Sequence, residues 1–354
     1  MEPVRLGLIG CGVIGTHHLG AIAAAPFIKL IAVADLIEER VNRAADQYHT
    51  PKRYREGLDL LDDPEIEAVV LALPAVGRTA LGLRAFARGK HLLTEKPVAM
   101  NAGVVRRLLR AQGDRVGACC SSRYRFTASA AATTAFLATG RLGRLRVVRC
   151  LAIHPAGKPP TGPLPEWRLK RELNGGGIAM NWGCYDLDYL LGITGWTLRP
   201  QWVLAGAWPV GAPFTAYAAP GSNAETHAAA LALCEGGTVL AFERSEFAPV
   251  QPHTLWEIIG ELGSLKLQMT PTADQQIVFA KPDPVAGVAT EVVWAGKEDP
   301  TPIHHGPVQD FAQAIREGRP PRTTLAQALQ VQELTDAIYA SAAKARPIRL
   351  GRKP

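Results

Sequence analysis

Residues 4–15 of the chain are Val-Arg-Leu-Gly-Leu-Ile-Gly-Cys-Gly-Val-Ile-Gly. Residues 4–9 form an apolar run with β-branched side chains, which predicts a buried strand. The Ala- and Leu-rich residues 17–25 predict a helix, which Pro26 ends. Between them lies a glycine turn of the dinucleotide-binding type, which joins a strand to a helix. Its glycines are Gly10, Gly12 and Gly15.

Each glycine of this turn meets a different steric demand. Gly10 permits the tight turn, Gly12 lets backbone approach a pyrophosphate, and Gly15 lets the helix pack closely on the strand. The pyrophosphate is expected at the amino end of the helix that follows, where free N–H groups and the helix dipole favour an anion, and Val13 and Ile14 of the turn are predicted to bind the cofactor with the glycines. The segment therefore predicts a dinucleotide bound at the amino end of the first helix.

A carboxylate completes the dinucleotide fingerprint. A second apolar run ends at Asp35, 20 residues after Gly15. A carboxylate there accepts from a ribose 2′-hydroxyl and repels a 2′-phosphate, which favours NAD over NADP. Two alternatives stay open. Arg40, with Lys52 and Arg53 beyond it, could offset the repulsion, and Asp35 could be a turn or capping residue.

The tripeptide Glu95-Lys96-Pro97 follows residues 90–94, an apolar run that predicts another short strand. A lysine at the carboxyl end of a strand in an open α/β sheet points into the crevice where such sheets bind ligands. Pro97 lacks a backbone N–H and has a fixed φ, so the chain turns there in a defined way. We therefore expect Lys96 to meet the nicotinamide end of the cofactor; the alternative is a surface lysine.

Length and composition indicate two soluble domains. At 354 residues the chain exceeds the usual single-domain range, and 47% hydrophobic with 20% charged residues is typical of globular proteins. No apolar run reaches the length of a membrane span, and no leader segment precedes the first strand. We expect a cytoplasmic protein with no membrane association.

The distribution of charge and the spacing of the cysteines and histidines argue against a nucleic-acid partner and against a metal site. The net charge is +7 and the pI about 9.2, but the basic residues are spread along the chain without a block interleaved with aromatics. We therefore expect no nucleic acid, and interpret the positive field as attracting an anionic cofactor. The six cysteines and the adjacent His304 and His305 lack metal-ligand spacing, so no metal is predicted.

The alternation of strands and helices changes near residue 122. Before it, alternating strands and helices predict a doubly wound parallel sheet over residues 1–122. After it, strand-like runs without intervening helices predict a large, mostly antiparallel sheet in an α/β domain over residues 123–354. A helix is expected over 178–191, and final helices over 308–317 and 325–345 can pack back on the first domain.

Segments spread over nearly the whole chain resemble those of the glucose-fructose oxidoreductase / inositol dehydrogenase family, known as Gfo/Idh/MocA. Besides the glycine turn and Glu95-Lys96-Pro97, they are Arg123-Tyr124-Arg125-Phe126, Glu166-Trp167-Arg168, Gly175-Gly176-Gly177, residues 259–265 and residues 336–341. The resemblance implies a Rossmann domain followed by an α/β domain with a large open sheet. The exposed face of that sheet usually supports oligomers, so a homodimer or homotetramer is also implied.

The family's catalytic segment is Gly-Gly-Gly followed by Asp-x-Gly-x-His-x-x-Asp, and this chain departs from it twice. Asn181 stands in place of the aspartate, and Tyr185 stands in place of the histidine. The tyrosine resembles the pattern of the glucose-fructose oxidoreductase and dihydrodiol dehydrogenase branches. The resemblance therefore implies that Lys96, Tyr185 and Asn181 are the catalytic residues.

Oxidising a secondary alcohol requires removal of the hydroxyl proton while hydride leaves carbon. A tyrosine, with an ordinary pKa of about 10, is a poor base at neutral pH, and a nearby ammonium group lowers that pKa. Lys96 is the expected cation, and Asn181, four residues before Tyr185 on one helix face, can orient a hydroxyl. Tyr185 could instead be a core tyrosine, and Asn181 could instead be a structural residue. Asp186 and Asp188 are either solvated helix charges or, for Asp188, a partner of a basic group.

Further residues are predicted to bind substrate. An aromatic face stacks on a sugar ring, and an arginine offers a fork of donors to hydroxyls, which suits Trp167 and Arg168. The resemblance places this segment near the substrate and adds Arg123 and Lys96 to it. The alternative is that Trp167 is a core residue and that Arg168 pairs with an acid.

The residues after the third predicted strand, Leu73-Pro74-Ala75-Val76-Gly77-Arg78, depart from the family's usual Thr-Pro-Asn with a histidine three residues later. The loss of polar groups alters contacts around the nicotinamide ribose, where the resemblance places Leu73 and Pro74. Arg78 can substitute by meeting cofactor phosphates or an anionic substrate; the alternative is a helix-surface arginine. Glu95 and Lys96 complete the expected cofactor contacts.

The sequence thus predicts an NAD-dependent oxidoreductase that transfers hydride between nicotinamide and a secondary alcohol of a sugar, polyol or glycoside. One alternative is an enzyme that retains NAD and cleaves a glycoside by transient oxidation and elimination. A second is a weakly catalytic or non-catalytic sensor that binds NAD and a sugar. The altered residues at 75, 78, 181 and 185 motivate the second alternative.

Overall fold

The computed structural model of the chain describes residues 2–351, which divide into two compact units. The first unit contains the residues up to Arg123 together with Thr301–Gln332. The second contains Tyr124–Pro300 together with the residues from Glu333 onward. Each unit is built on a sheet of its own.

Helices occur in both units. In chain order they are α1 (Val13–Ala23), α2 (Glu38–Gln47), α3 (Gly57–Asp62), α4 (Ala75–Ala87), α5 (Ala102–Gln112), α6 (Ala128–Ala138), α7 (Arg171–Asn174), α8 (Ile178–Asn181), α9 (Gly183–Ile193), α10 (Thr301–Glu317) and α11 (Leu325–Lys344). Within residues 2–351, none of them combines the length and the apolar character that crossing a bilayer requires.

The first unit contains a six-stranded parallel sheet. Its strands are β1 (Val4–Ile9), β2 (Ile28–Ala34), β3 (Lys52–Tyr54), β4 (Ala68–Leu71), β5 (His91–Thr94) and β6 (Gly117–Cys119). They lie in the order β3-β2-β1-β4-β5-β6, so the direction of progression reverses between β1 and β4. This is the doubly wound arrangement, and it confirms the predicted Rossmann sheet.

Helices cover both faces of this sheet and create two apolar cores. Leu19 of α1 and Phe311 of α10 belong to the core on one face. Val105 of α5 and Leu329 of α11 belong to the core on the other face. Because both faces are covered, the strands are apolar along most of their length, as parallel strands usually are.

The register of the central strands places their carboxyl ends side by side. Ile9 of β1 is paired with Leu71 of β4, and Leu71 is paired with Thr94 of β5. The residues that follow each strand therefore meet at one edge of the sheet. This edge, at the switch point, is where open α/β sheets bind ligands.

The second unit contains a nine-stranded sheet. Its strands are β7 (Leu145–Pro155), β8 (Pro200–Pro209), β9 (Glu225–Cys234), β10 (Val239–Ala248), β11 (His253–Gly260), β12 (Ser264–Leu267), β13 (Gln275–Asp283), β14 (Gly287–Gly296) and β15 (Ile348–Arg349). The order is β14-β13-β12-β11-β7-β10-β9-β8-β15, and every adjacent pair except β7–β10 is antiparallel. The predicted large, mostly antiparallel sheet is confirmed.

One face of this second sheet is covered and the other is exposed. Along β9, Ala228 and Ala232 are buried, whereas Leu231 and Leu233 are 54% and 47% exposed. Period-two alternation of this kind is typical of a sheet with helices on one side only. Here the covered side packs on α8 and α9.

The predicted continuous helix over residues 178–191 is wrong. The chain forms α8 and α9 instead, and Trp182, with φ −110° and ψ −36°, lies between them. A side chain at Gly183, the first residue of α9, would lie 3.0 Å from the Phe242 ring, so the chain passes close to the sheet at this point. Asn181 and Tyr185 consequently lie on different helices and not on one continuous helix face.

Other local predictions also differ from the structure. Residues after Cys119 form a 3₁₀ helix over Cys120–Phe126, an element that the sequence did not predict. Helix α6 and the hairpin of β13 and β14 were not predicted. The helix predicted over residues 308–317 begins earlier, at Thr301, so that His304 and His305 lie within α10.

Candidate functional site

The glycine turn of the first unit leaves no room for side chains at two positions. Gly10 has φ +102°, and a Cβ atom there would lie 2.5 Å from the Ala72 carbonyl oxygen. At Gly15 a Cβ atom would lie 2.0 Å from the carbonyl oxygen of Gly10. Gly12 immediately precedes α1, and it has no side chain that could cap the helix. The first N–H groups of α1 are therefore open to an anion. Val13, 85% exposed, begins the helix.

Asp35 follows β2 and lies beside this turn. Its carboxylate accepts hydrogen bonds from the N–H of Cys11 at 2.8 Å and from the N–H of Ile37 at 2.9 Å. Each carboxylate oxygen has further lone pairs, so both can still accept from a ribose hydroxyl. The carboxylate is thus fixed at the position that the fingerprint requires.

The three basic residues that could alter cofactor choice differ in their surroundings. Lys52 pairs with Asp63 at 2.8 Å and with Glu65 at 3.0 Å. Arg53 bonds Asn42 and Asp46. In contrast, Nη1 of Arg40 lies 3.9 Å from the position that a Cβ atom of Gly12 would occupy. Of the three, Arg40 is therefore the one placed beside the glycine turn.

The loop after β4 lies against the glycine turn. A Cδ2 atom of Leu73 lies 2.7 Å from the position that a Cβ atom of Gly10 would occupy. Pro74 precedes the first residue of α4 and is exposed. Leu73 and the adjacent Pro74 are therefore close to the predicted dinucleotide site, and neither of them contributes a polar side chain to it.

Glu95 is a buried carboxylate next to Lys96. It is 3% exposed, and it accepts a hydrogen bond from the Lys96 N–H at 3.0 Å. His18 Nε2 lies 2.8 Å from its other oxygen, and Arg123 forms an ion pair with it. Burial alone would raise the pKa of Glu95, but Arg123 and His18 hold that pKa well below its ordinary value.

Arg78 is buried, so it is not the helix-surface arginine that the sequence left as an alternative. It lies in α4, is 2% exposed, and donates to Thr94 Oγ1 at 3.1 Å and to the carbonyl oxygen of Pro97. Arg123, 5% exposed, pairs with Glu95 as described. Both arginines thus contact the residues around Lys96, and their ligand-binding roles stay predictions.

Several titratable side chains of α1 and α10 lie near Glu95. His17 stacks on His304 with ring centroids 4.3 Å apart. Burial, with Arg123 and His17 nearby, lowers the pKa of His304 to about 4. Ligand-type atoms of His18, Glu95 and Cys120 lie within 4.8 Å of one another. Because Arg123 neutralises this carboxylate, we assign no metal to the cluster.

In the second unit, a buried carboxylate holds the glycine segment before α8. Glu225, 1% exposed, accepts from the N–H of Gly177 at 3.0 Å, from the N–H of Ala179 at 3.1 Å and from Tyr339 Oη at 2.8 Å. A Cβ atom at Gly177 would lie 1.8 Å from the Glu225 carbonyl oxygen. The close approach explains why this segment consists of glycines, and it fixes the start of the helix that carries Asn181.

Tyr185 lies in α9 within a group of aromatic rings. It is 4% exposed, and its ring centroid lies 5.3 Å from that of Tyr124 and 5.6 Å from that of Trp182. Both neighbours meet it edge to face, an arrangement that stabilises aromatic pairs. Asn181 is partly buried at the end of α8.

Asp186 and Asp188 are not solvated helix charges, because both are fully buried. Asp186 pairs with Arg244, whose Nη2 lies 3.1 Å from Oδ1, and Asp188 pairs with Arg125 at 2.7 Å. The Arg244 guanidinium also lies 4.6 Å from the Trp182 ring centroid. Two ion pairs, made by residues that closely follow Tyr185, therefore fix α9. The sequence offered no signal for Arg244, which is 58 residues from Asp186.

A cleft of about 320 Å³ lies in the second unit beside Arg168. Arg168 pairs with Glu246, as the sequence left open, and its guanidinium lies 5.8 Å from the Phe247 ring centroid. Burial raises the pKa of Glu246, and Arg168 opposes that shift. Trp167 is 40% exposed and so is not a core residue. Lys158, Tyr217 and Phe247 also line the cleft.

Comparisons with known proteins agree with this architecture. The model of an oxidoreductase family with an NAD-binding Rossmann fold, Gfo/Idh/MocA, matches residues 4–120, and the model of the GFO/IDH/MocA C-terminal domain matches residues 131–266. Levoglucosan dehydrogenase of Pseudarthrobacter phenanthrenivorans is 24% identical over 97% of this chain and 97% of its own length. Inositol 2-dehydrogenase 2 of Saccharopolyspora erythraea is 28% identical over 80% of this chain and 78% of its own length.

A solved structure shows the same fold over the whole chain. It is a levoglucosan dehydrogenase in complex with NADH and levoglucosan, with a TM-score of 0.86 at 22% identity, covering 99% of this chain and 100% of that one. At this identity the likeness concerns the fold.

Replacing Asp186 with asparagine is expected to destabilise the second unit. The substitution leaves the charge of Arg244 buried without its carboxylate, which costs about 3–5 kcal/mol of unfolding free energy. Urea unfolding followed by circular dichroism measures this loss. Glu257→Gln is the matched control, because the Arg149–Glu257 pair is partly exposed and its loss changes stability by about 0.5 kcal/mol or less. Equal stability of Asp186→Asn and the wild type would contradict the structural role of the pair.

Proposed function

Because the chain belongs to the Gfo/Idh/MocA oxidoreductase family, we propose that it is an NAD-dependent dehydrogenase of sugars, polyols or glycosides. It transfers hydride between a secondary alcohol of the substrate and nicotinamide. The observation that carries the proposal is the edge of the first sheet, where the glycine turn after β1 and the Lys96-bearing residues after β5 follow the ends of the two strands that flank β4. The substrates named for the relatives, levoglucosan and inositol, support the substrate class.

The residues of the glycine turn fit a dinucleotide. The spaces at Gly10 and Gly15 are too small for a Cβ atom, and the amino end of α1 is open to phosphate. Gly12, Val13 and Ile14 would hold the pyrophosphate, and Asp35 would hold the adenosine ribose. Leu73 and Pro74 would lie near the nicotinamide ribose. When bound, NAD supplies the hydride acceptor.

The chain's own residues would then move the proton of the reacting hydroxyl. We assign Tyr185 as the acid/base and Lys96 as the cation that lowers the pKa of its phenol and holds the reacting oxygen. Asn181 can donate or accept a hydrogen bond but cannot remove a proton, so it would orient a substrate hydroxyl.

The cleft beside Arg168 supports a carbohydrate substrate. Sugar rings present apolar faces to aromatic side chains and hydroxyls to charged groups. Tyr217 and Phe247 line the cleft with aromatic rings, and Arg168 lines it with hydrogen-bond donors. Trp167, the residue before Arg168, has an exposed ring, and Glu246 pairs with Arg168. We propose that this part of the chain, with Arg123, contributes to substrate binding.

Lys96→Ala and Tyr185→Phe are each expected to lower turnover by about 10²-fold or more, because each removes a group that acts in proton transfer. NADH binding, measured by fluorescence, should be unchanged. The assay follows absorbance at 340 nm with NAD and a panel that includes levoglucosan and myo-inositol. Tyr189→Phe is the matched control, because Tyr189 is a buried tyrosine of the same helix. This variant should retain the activity of the wild type. A fully active Tyr185→Phe would refute the acid/base assignment.

The same assay separates the alternatives. An enzyme that retains its cofactor and cleaves glycosides would release aglycone, detected by chromatography, without net NADH. A sensor would bind NADH and a sugar without turning over any member of the panel. Net NADH in proportion to substrate consumed supports the dehydrogenase and contradicts both alternatives.

Asp35→Ala is expected to shift cofactor preference toward NADPH. The substitution removes a charged hydrogen-bond acceptor for the ribose and the repulsion of a 2′-phosphate, so the NADH/NADPH affinity ratio should fall about tenfold or more. Arg40→Ala should change the ratio in the opposite direction, because Arg40 lies beside the glycine turn. Titration of each variant with both reduced cofactors measures the ratios. An unchanged ratio in Asp35→Ala would refute the role of Asp35.

We also propose that two copies of the chain associate through the exposed face of the second sheet, giving a homodimer or a homotetramer. Large apolar side chains are concentrated there. Trp202, Leu204, Trp208, Leu231 and Leu233 are 42–54% exposed and lie on the paired strands β8 and β9. An apolar patch of this kind marks a protein interface.

Light scattering after size-exclusion chromatography tests this association. The wild type should have the mass of two or four chains, and Leu231→Glu should lower it because a charge would be buried at the interface. Val285→Glu is the control, since Val285 is 95% exposed at the tip of the β13–β14 hairpin. A monomeric wild type, or a mass unaffected by Leu231→Glu, would exclude this interface.

A further inference from the structure

Arg78 is a buried cation attached to the turn that carries Lys96. Its two Nη atoms donate to Thr94 Oγ1 at 3.1 Å and to the Pro97 carbonyl oxygen. These acceptors lie on either side of Glu95 and Lys96 in the sequence. We call residues 94–97 the Lys96 turn. The planar guanidinium therefore links the start and the end of this turn, which a lysine in its place could not do.

The charge of Arg78 lies at an electrostatically unfavourable position. Arg78 is the fourth residue of α4, where the positive end of the helix dipole disfavours a cation. It is also 2% exposed, and a buried charge costs several kcal/mol unless hydrogen bonds compensate. A residue that breaks local preferences in this way is expected at a functional site.

The Lys96 turn is also held from a second direction. Glu95 Oε2 accepts from the Lys96 N–H at 3.0 Å, and the same carboxylate is held by His18 and Arg123. Thr94, the acceptor of Arg78, is itself 2% exposed. The backbone on both sides of Lys96 is thus fixed by buried side chains of the first unit.

We infer that Arg78 is a positioning residue, which orients Lys96 for the reaction by linking Thr94 to Pro97 and does not contact cofactor or substrate. The inference rests on the proposed function, because it concerns the lysine assigned to proton transfer. It replaces the sequence-based expectation that Arg78 meets cofactor phosphates or an anionic substrate. Precise placement of a catalytic group requires supporting contacts of this kind.

Hydrogen–deuterium exchange tests the inference without any substrate. In Arg78→Gln and in Thr94→Val, a near-isosteric change that removes the acceptor, the amide of Lys96 should exchange about tenfold faster than in the wild type. Arg84→Gln should leave this exchange unchanged, because Arg84 is an exposed arginine of the same helix that pairs with Asp62. Unchanged exchange in both Arg78→Gln and Thr94→Val would overturn the inference.

Kinetics separate positioning from ligand binding. With levoglucosan or myo-inositol, Arg78→Gln and Arg78→Lys should lower kcat about tenfold or more, while the Kd for NADH stays within about twofold of the wild type. A tenfold weaker Kd for NADH with unchanged kcat would show that Arg78 is a cofactor contact. If the wild type turns over no substrate, the proposed function fails, but the exchange experiment still decides the role of Arg78.

Discussion

The buried charge of Glu95 constrains the first unit more than any other contact around Lys96. A carboxylate that is 3% exposed is tolerated only when its oxygens are hydrogen-bonded and its charge is neutralised. His18 from α1 and Arg123 from the segment after β6 meet these demands, and the Lys96 N–H adds a third donor. Two segments distant in sequence, α1 and the residues after β6, therefore converge where β5 ends. Lys96 cannot shift its backbone without disturbing this network.

In the second unit, too, buried carboxylates fix the segments that carry the predicted catalytic residues. Glu225 holds the N–H groups of Gly177 and Ala179 at the start of α8, and the Asp186–Arg244 pair fixes α9 next to Tyr185. Buried ion pairs contribute little net stability compared with apolar packing. Their concentration around the segments that carry Asn181 and Tyr185 therefore favours an explanation in terms of geometry and not of stability.

The fold and the glycine turn were predictable because they depend on local signals. Apolar periodicity and glycine spacing act over a few residues, and they located the Rossmann sheet and the mostly antiparallel sheet. The β13–β14 hairpin had a usable signal in the turn of Asp283, which accepts from the N–H groups of Val285 and Ala286, and Gly287, with φ +76°. The helix break at Trp182 had no such signal in the sequence. It coincides with the close approach of Phe242, 59 positions further along the chain, to Gly183.

The burial of Arg78 could not be predicted for the same reason, since its partners Thr94 and Pro97 belong to a neighbouring strand end. The family pattern often has a histidine at this position, and the arginine of this chain has a chemical consequence. A histidine loses its charge near pH 6.5, whereas a guanidinium stays protonated throughout. The link across the Lys96 turn therefore keeps its charge at every physiological pH.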